Sequence, residues 1–302
     1  MPASAKTQRE RYLWMYDFLI APFAEFDFMR RALAGVIILS LSAAPLGIFL
    51  MLRRMSLAGD VMAHAILPGA ALGFLVAGLD LFAMTVGGIV AGIAVAVAAG
   101  LVARFTELKE DAALAAFYLV SLALGVTLIS LKGSNVDLFR VLFGSVLALD
   151  NATLLVIAAF TTFSLFALAL IWRPLVLECV DPGFLRSVSG AGALVHLLFL
   201  ALVVLNLVAA FHALGTLLAV GMMMLPAAAA RFWTQDVTRM AAISVVIGVV
   251  SGIGGLLVSF HANLPTGPAV ILAAGIVYAA SVLLGPVGGL RKRLSPGRHL
   301  EA

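Results

Sequence analysis

Asp60 and His64 are the residues whose types and spacing most plainly suit chemistry, within "RRMSLAGDVMAHAILPG" at 53–69. Four residues apart on a helix, a carboxylate and an imidazole share one face. The 3.6-residue period extends that face through Leu67 and Ala71. One oxygen and one nitrogen donor suit first-row divalent ions such as Mn, Fe or Zn. Two donors alone hold an ion weakly, which fits an ion that must leave again. The competing reading is a helix cap at Asp60 after Gly59, with His64 donating to a neighbouring carbonyl. Ionisable groups in an apolar span are functional candidates by default, so chemistry is favoured. Pro68 has no N–H, which predicts that the His64 carbonyl loses its helical partner. Gly69 and Gly73, extended by Ala77, fall on the opposite side as a close-packing face.

The elements that position this pair follow from composition. Of 302 residues, 63% are hydrophobic and only 11% charged, and the mean hydropathy is +1.15. Soluble domains carry about a quarter charged residues, so the chain reads as an all-α, polytopic membrane protein. No basic patch interleaves with aromatics, which argues against nucleic acid as a partner. A single cysteine, Cys179, excludes an internal disulfide framework and a multi-cysteine metal cluster. No GxxxxGK[ST] loop and no HExxH helix occurs, so neither ATP hydrolysis by that route nor zincin chemistry is expected.

Candidate spans lie at 32–52, 57–79, 81–103, 112–131, 152–172, 191–211, 213–230, 240–260 and 268–288, giving eight to nine crossings at about 20 residues each. Residues 1–31 mix aromatics with charges and lack a signal-peptide pattern, as expected of an interfacial segment. Residues 32–288 form the transmembrane domain and 289–302 a basic tail. The run 136–149 is apolar but too short to cross, which suggests a buried re-entrant helix. Lysines and arginines concentrate after spans one, three, five, seven and nine, from Arg53 and Arg54 to Arg291–Arg293 and Arg298. The intervening loops hold only Lys132 and Arg140. The positive-inside rule then puts the C-terminus in the cytoplasm and the N-terminus outside, although Lys6, Arg9, Arg11, Arg30 and Arg31 run against it.

Other candidates are weaker. His212, in a turn before Gly215, and His261, beside "NLPTGP", sit where an ion would enter, although turn histidines are usually only solvated. His196 reads as a satisfied core histidine, Met222–Met224 as gap-fillers, and "ELKED" at 107–111 as a solvated loop. Pro226 is expected to kink its span by freeing the Met222 carbonyl, a device suited to a gate.

The stretch "LRRMSLAGDVMAHAILPGAALGF" resembles the motif of the integral-membrane permease subunit of zinc/manganese/iron ABC importers. "LFRVLFGSVLAL", "ALGTLLAVGMMMLPAAAAR" and "LPTGPAVIL" agree with it, so the likeness runs from about Phe23 to Gly285. The resemblance implies a helical fold akin to the vitamin B12 importer membrane subunit, in the cytoplasmic (inner) membrane. It also implies a permease homodimer, a separate cytoplasmic ABC ATPase that uses the ATP, and an extracytoplasmic metal-binding protein. A divalent metal is then substrate, with no permanently bound cofactor, and Asp60 and His64 contact it in transit. The segment "DPGFLRSVSG", with Asp181, Pro182, Phe184, Arg186 and Ser187, is similar to the family's ATPase-docking loop. It departs from the pattern at Gly183 and Leu185. The alternatives are an ion-coupled secondary transporter, which predicts acids in several spans and often an inverted repeat, and a siderophore or B12-type permease, which should lack the Asp–His pair.

Overall fold

A computed structural model of the chain describes residues 15–78, 80–131, 149–181, 184 and 192–290; the side chains at 81, 129–131 and 212–214 are outside that description too. Within lipid every backbone N–H and C=O needs an internal partner, and the described residues meet this with helices. In chain order they are α1 (Ala21–Glu25), α2 (Asp27–Leu52), α3 (Ala58–Ala65), α4 (Leu67–Ala77), α5 (Leu81–Phe105), α6 (Glu110–Leu131), α7 (Asn151–Val180), α8 (Gly192–Leu214), α9 (Thr216–Ala230), α10 (Val237–Ala262) and α11 (Thr266–Leu284). Among the described residues, eight helical stretches, counting α3 and α4 as one, are long and apolar enough to cross a membrane.

Several expected boundaries move. The candidate span at 213–230 is a helix of only 15 residues, about 22 Å long against a hydrocarbon core of about 30 Å. It starts late because Gly215 sits at φ 82°, ψ 161°, which stops α8 and which only glycine adopts without strain. The span expected at 57–79 is two helices joined at Ile66. Pro68 lies in the first turn of the second, where its missing N–H costs nothing. The first span begins at Asp27 rather than 32, with Arg30 bonded to the Asp27 carboxylate. Helix α7 continues past 172 to Val180, through the exposed Arg173 and the half-buried Pro174. Charge counting cuts a span at such residues, whereas a long side chain can snorkel and leave the helix intact. The expected re-entrant helix at 136–149 lies outside the described residues except Leu149, and so does the basic tail beyond residue 290.

Local sequence explains the ends. Asp80, Asp150 and Asp236 cap α5, α7 and α10 by accepting from the N–H groups of Ala83, Thr153 and Arg239 at 2.7, 2.8 and 2.7 Å. Hydrogen bonding from Thr153 holds the Asp150 carboxyl below its usual range. Helix α2 ends in a turn where Arg54 N–H reaches Met51 C=O at 3.1 Å and Met55 N–H reaches Leu50 C=O at 2.9 Å. That pattern needs a left-handed residue, normally glycine. Here Arg54 fills it at φ 60°.

Helix α2 packs on α7, α9 and α10, while α4 packs on α5 and α6. The core centres on Phe49, Trp172 and Phe199, with Phe49 edge-on to the other two rings. A Cβ on Gly69 would lie 1.9 Å from the Gly87 carbonyl oxygen, and one on Gly87 would lie 2.1 Å from that of Gly69. The close-packing face read from Gly69 and Gly73 is therefore where α4 meets α5. Gly69→Ala should destabilise the protein by about 1–3 kcal/mol through overpacking. The lowered thermal midpoint in detergent would be read against Gly100→Ala, whose Cβ meets nothing within 4 Å and should be neutral.

Candidate functional site

Asp60 lies in the first turn of α3 and His64 in its last, just before the break at Ile66. Their side chains are 59% and 21% exposed, with His64 Nε2 3.7 Å from Asp60 Oδ1. That distance is beyond a hydrogen bond, so both facing atoms have capacity for a third party between them. The imidazole ring packs against Tyr118 of α6, centroids 5.4 Å apart. Its Nδ1 is buried without a hydrogen-bond partner among the described residues. The His64 carbonyl, expected to be free, accepts the Ile66 N–H.

The pair stands on an exposed stripe. Leu57, Leu72 and Val76 are 68%, 50% and 87% exposed, and with Asp60, His64 and Pro68 they recur every three or four residues. The expected continuation through Leu67 and Ala71 is corrected: both are buried, at 8% and 4%. The joint at Ile66 replaces a continuous helix and moves the stripe by one position. Gly69 lies on the packed side, so the polar stripe and the packing face separate as expected.

The other candidates disperse. His261 stacks on Phe18, centroids 4.2 Å apart, and its Nε2 donates to the Phe18 carbonyl at 3.0 Å. It fastens the N-terminal segment. The side chain of His212 lies outside the described residues. Met222 and Met223 are fully buried, as gap-fillers should be. Pro226 is a buried residue inside α9. In the expected docking segment, Asp181 accepts the Phe184 N–H at 2.9 Å and Phe184 is 52% exposed. Pro182, Arg186 and Ser187 lie outside the described residues. No group of three or more His, Cys, Asp or Glu side chains is placed to hold a metal ion among the described residues.

Sequence reasoning missed a second cluster. Arg53 Nη2 donates to Glu178 Oε1 at 3.1 Å, and His196 Nε2 lies 2.5 Å from Glu110 Oε1. His196 is thus partnered, as a core histidine should be, but by an acid of the "ELKED" run expected to be solvated. These pairs join residues 125 and 86 apart, and no local pattern announces them. The only sequence signal was a glutamate in the apolar run "PLVLECV".

With this geometry in view, the chain compares closely with known proteins. The model of the ABC 3 transport family matches residues 25–285. A manganese transport system membrane protein, MntC, of Halalkalibacterium halodurans is 30% identical over 94% of this chain and 96% of its own length. The manganese import system permease protein ScaB of Streptococcus parasanguinis is 32% identical over 87% and 92%. Among solved structures, PsaBC from Streptococcus pneumoniae in complex with Fab aligns with a TM-score of 0.81 at 28% identity. That alignment covers 93% of this chain and 99% of the other.

Because the His261 ring is engaged with Phe18, His261→Ala should leave metal handling unchanged and lower stability by about 1 kcal/mol or more, the scale of one hydrogen bond. Uptake and thermal midpoint of the same preparation check both halves.

Proposed function

The chain belongs to the ABC 3 transport family, and from that premise we propose that Asp60 and His64 are the transit site of a manganese importer. The chain is the multi-pass permease subunit of an ATP-binding-cassette importer of a divalent transition metal in the cytoplasmic membrane. It is a transport subunit, and ATP hydrolysis belongs to a separate ATPase. The family implies that ATPase and a substrate-binding protein as partners.

The observation that carries the site is the unbridged 3.7 Å gap between the facing donor atoms of Asp60 and His64 on an exposed stripe. An exposed carboxylate in a span must face water, a partner or an ion, because lipid cannot solvate it. A second copy of this chain laid against the stripe meets that need. A two-fold axis then brings two Asp–His pairs together, offering two oxygens and two nitrogens to Mn2+. A single pair binds loosely, and separation of the halves would release the ion. The names of the manganese-transporting relatives favour Mn2+ within the class. We place the Arg53 end of the bundle in the cytoplasm on the arginine distribution, and the ATPase at 181–190, after α7.

In liposomes holding the complete importer, Asp60→Asn should lower Mn2+ uptake by more than about tenfold, because the amide keeps shape but surrenders the anionic ligand. Normal uptake by that variant, at normal insertion and ATPase binding, would sink the assignment. In a Cys179→Ala background, Leu72→Cys should form a disulfide-linked permease dimer under oxidation, and Phe184→Cys should crosslink to the ATPase. Monomer only from the first variant would remove the symmetric stripe contact.

A further inference from the structure

A buried ion pair holds the turn from which α3 departs. The Arg53 and Glu178 side chains are 13% and 9% exposed. The Arg53 guanidinium also lies 5.6 Å from the centroid of the buried Phe199 ring. One arginine is thus gripped by α7 through a carboxylate and by α8 through an aromatic face. Arg53 is the C-cap of α2. The next residue, Arg54, is the left-handed residue that turns the chain toward α3. Asp60 follows in the first turn of α3. Where Glu178 and Phe199 hold Arg53 therefore bears on where Asp60 stands.

The pair is also built to shift. Among the described residues, Arg53 Nη1 and Glu178 Oε2 are buried without hydrogen-bond partners. A half-satisfied buried ion pair returns little of its desolvation cost, so its contribution to stability is a poor reason for its presence. Cavities of about 420 and 520 Å3, both lined by Arg53, Glu110 and Glu178, leave room beside it. Glu110 lines both as a second carboxylate, held by His196. Glu178 lies in the last turn of α7, just ahead of the exposed Asp181.

We propose that Arg53 and Glu178 are positioning residues for transport, whose ion pair carries the position of the α7 end to the α2–α3 turn and so to Asp60. This rests on Asp60 and His64 being the transit site.

The test uses the complete importer in liposomes with Mn2+-loaded binding protein, measuring Mn2+ uptake and ATP hydrolysis together. Arg53→Gln and Glu178→Gln should each lower the Mn2+ moved per ATP by about tenfold or more, because a misplaced ligand costs rate steeply. The exchanged pair, Arg53→Glu with Glu178→Arg, should recover to within about threefold of the native ratio, the coupling expected of residues in contact. Single variants at the native ratio would overturn the proposal, whatever happens to their thermal stability. So would an exchanged pair whose loss is the product of the single losses. Where Arg53→Gln fails to insert, Glu178→Gln alone is scored by the same ratio, a lowered value supporting the proposal and an unchanged one overturning it. Asp60→Asn is run alongside. Normal uptake by that variant removes the transit site itself, whereas an inactive Asp60→Asn beside native-like Arg53 and Glu178 variants removes only the positioning role.

Discussion

The approach of Gly69 to Gly87 constrains everything around the Asp60–His64 pair. Lipid supplies no hydrophobic force between helices, so α4 is held by van der Waals contact, and close contact needs missing side chains. Each glycine offers its carbonyl to the space where the other would carry a Cβ. That contact fixes the rotation of α4 about its axis. A Cβ on Gly125 of α6 would stand 3.1 Å from the Leu67 Cβ, so a second helix closes in at the start of α4. With α4 anchored on α5 and α6, the remaining side of the span faces outward. Asp60 and His64 lie on it.

Polar groups inside the bundle are treated differently from that pair. Ser42 and Thr161 face each other at 3.2 Å, Asn206 donates to Ser164 at 2.8 Å, and Ser259 meets Thr266 at 2.9 Å. Each links two helices and answers a polar atom with another, as a medium without water requires. Asp60 and His64 sit one turn apart and still leave their facing atoms unbonded. These three contacts answer hydroxyls and an amide in the interior, although Ser251 Oγ is buried without a partner among the described residues, while the Asp60–His64 pair stands open on the outside. An ion arriving between two copies supplies what the single chain withholds.

The break at Ile66 and the turn at Arg54 give α3 two joints within one span. Both depart from regular helix at residues that tolerate it: Pro68 in a first turn, and an arginine accepting a left-handed conformation. The helix carrying the pair is only eight residues long. It is bounded at one end by α4, anchored through glycine, and at the other by Arg53, anchored through Glu178. A short rigid piece between two fixed points keeps two ligands in register, and it moves when either point moves.

The sequence by itself determined the class, the helical make-up, the pair and its packing face, because each rests on nearest-neighbour chemistry. Hydropathy over about 20 residues reports a span, a spacing of four reports a shared face, and GxxxG reports close approach. The motif around Asp60 carried the family resemblance, and the family match at residues 25–285 agrees with it. Tertiary structure decided what depends on distant residues or on geometry below one helical turn. Only the fold showed that α7 runs on to Val180 and brings Glu178 to Arg53, a partner 125 residues away. It alone moved the stripe from Leu67 and Ala71 to Pro68 and Leu72, because the joint at Ile66 changes the helical phase. And it gave the histidines that the sequence ranked below His64 their partners: His261 is bound to Phe18 and His196 to Glu110. Whether a polar atom is free is settled by what the fold places beside it.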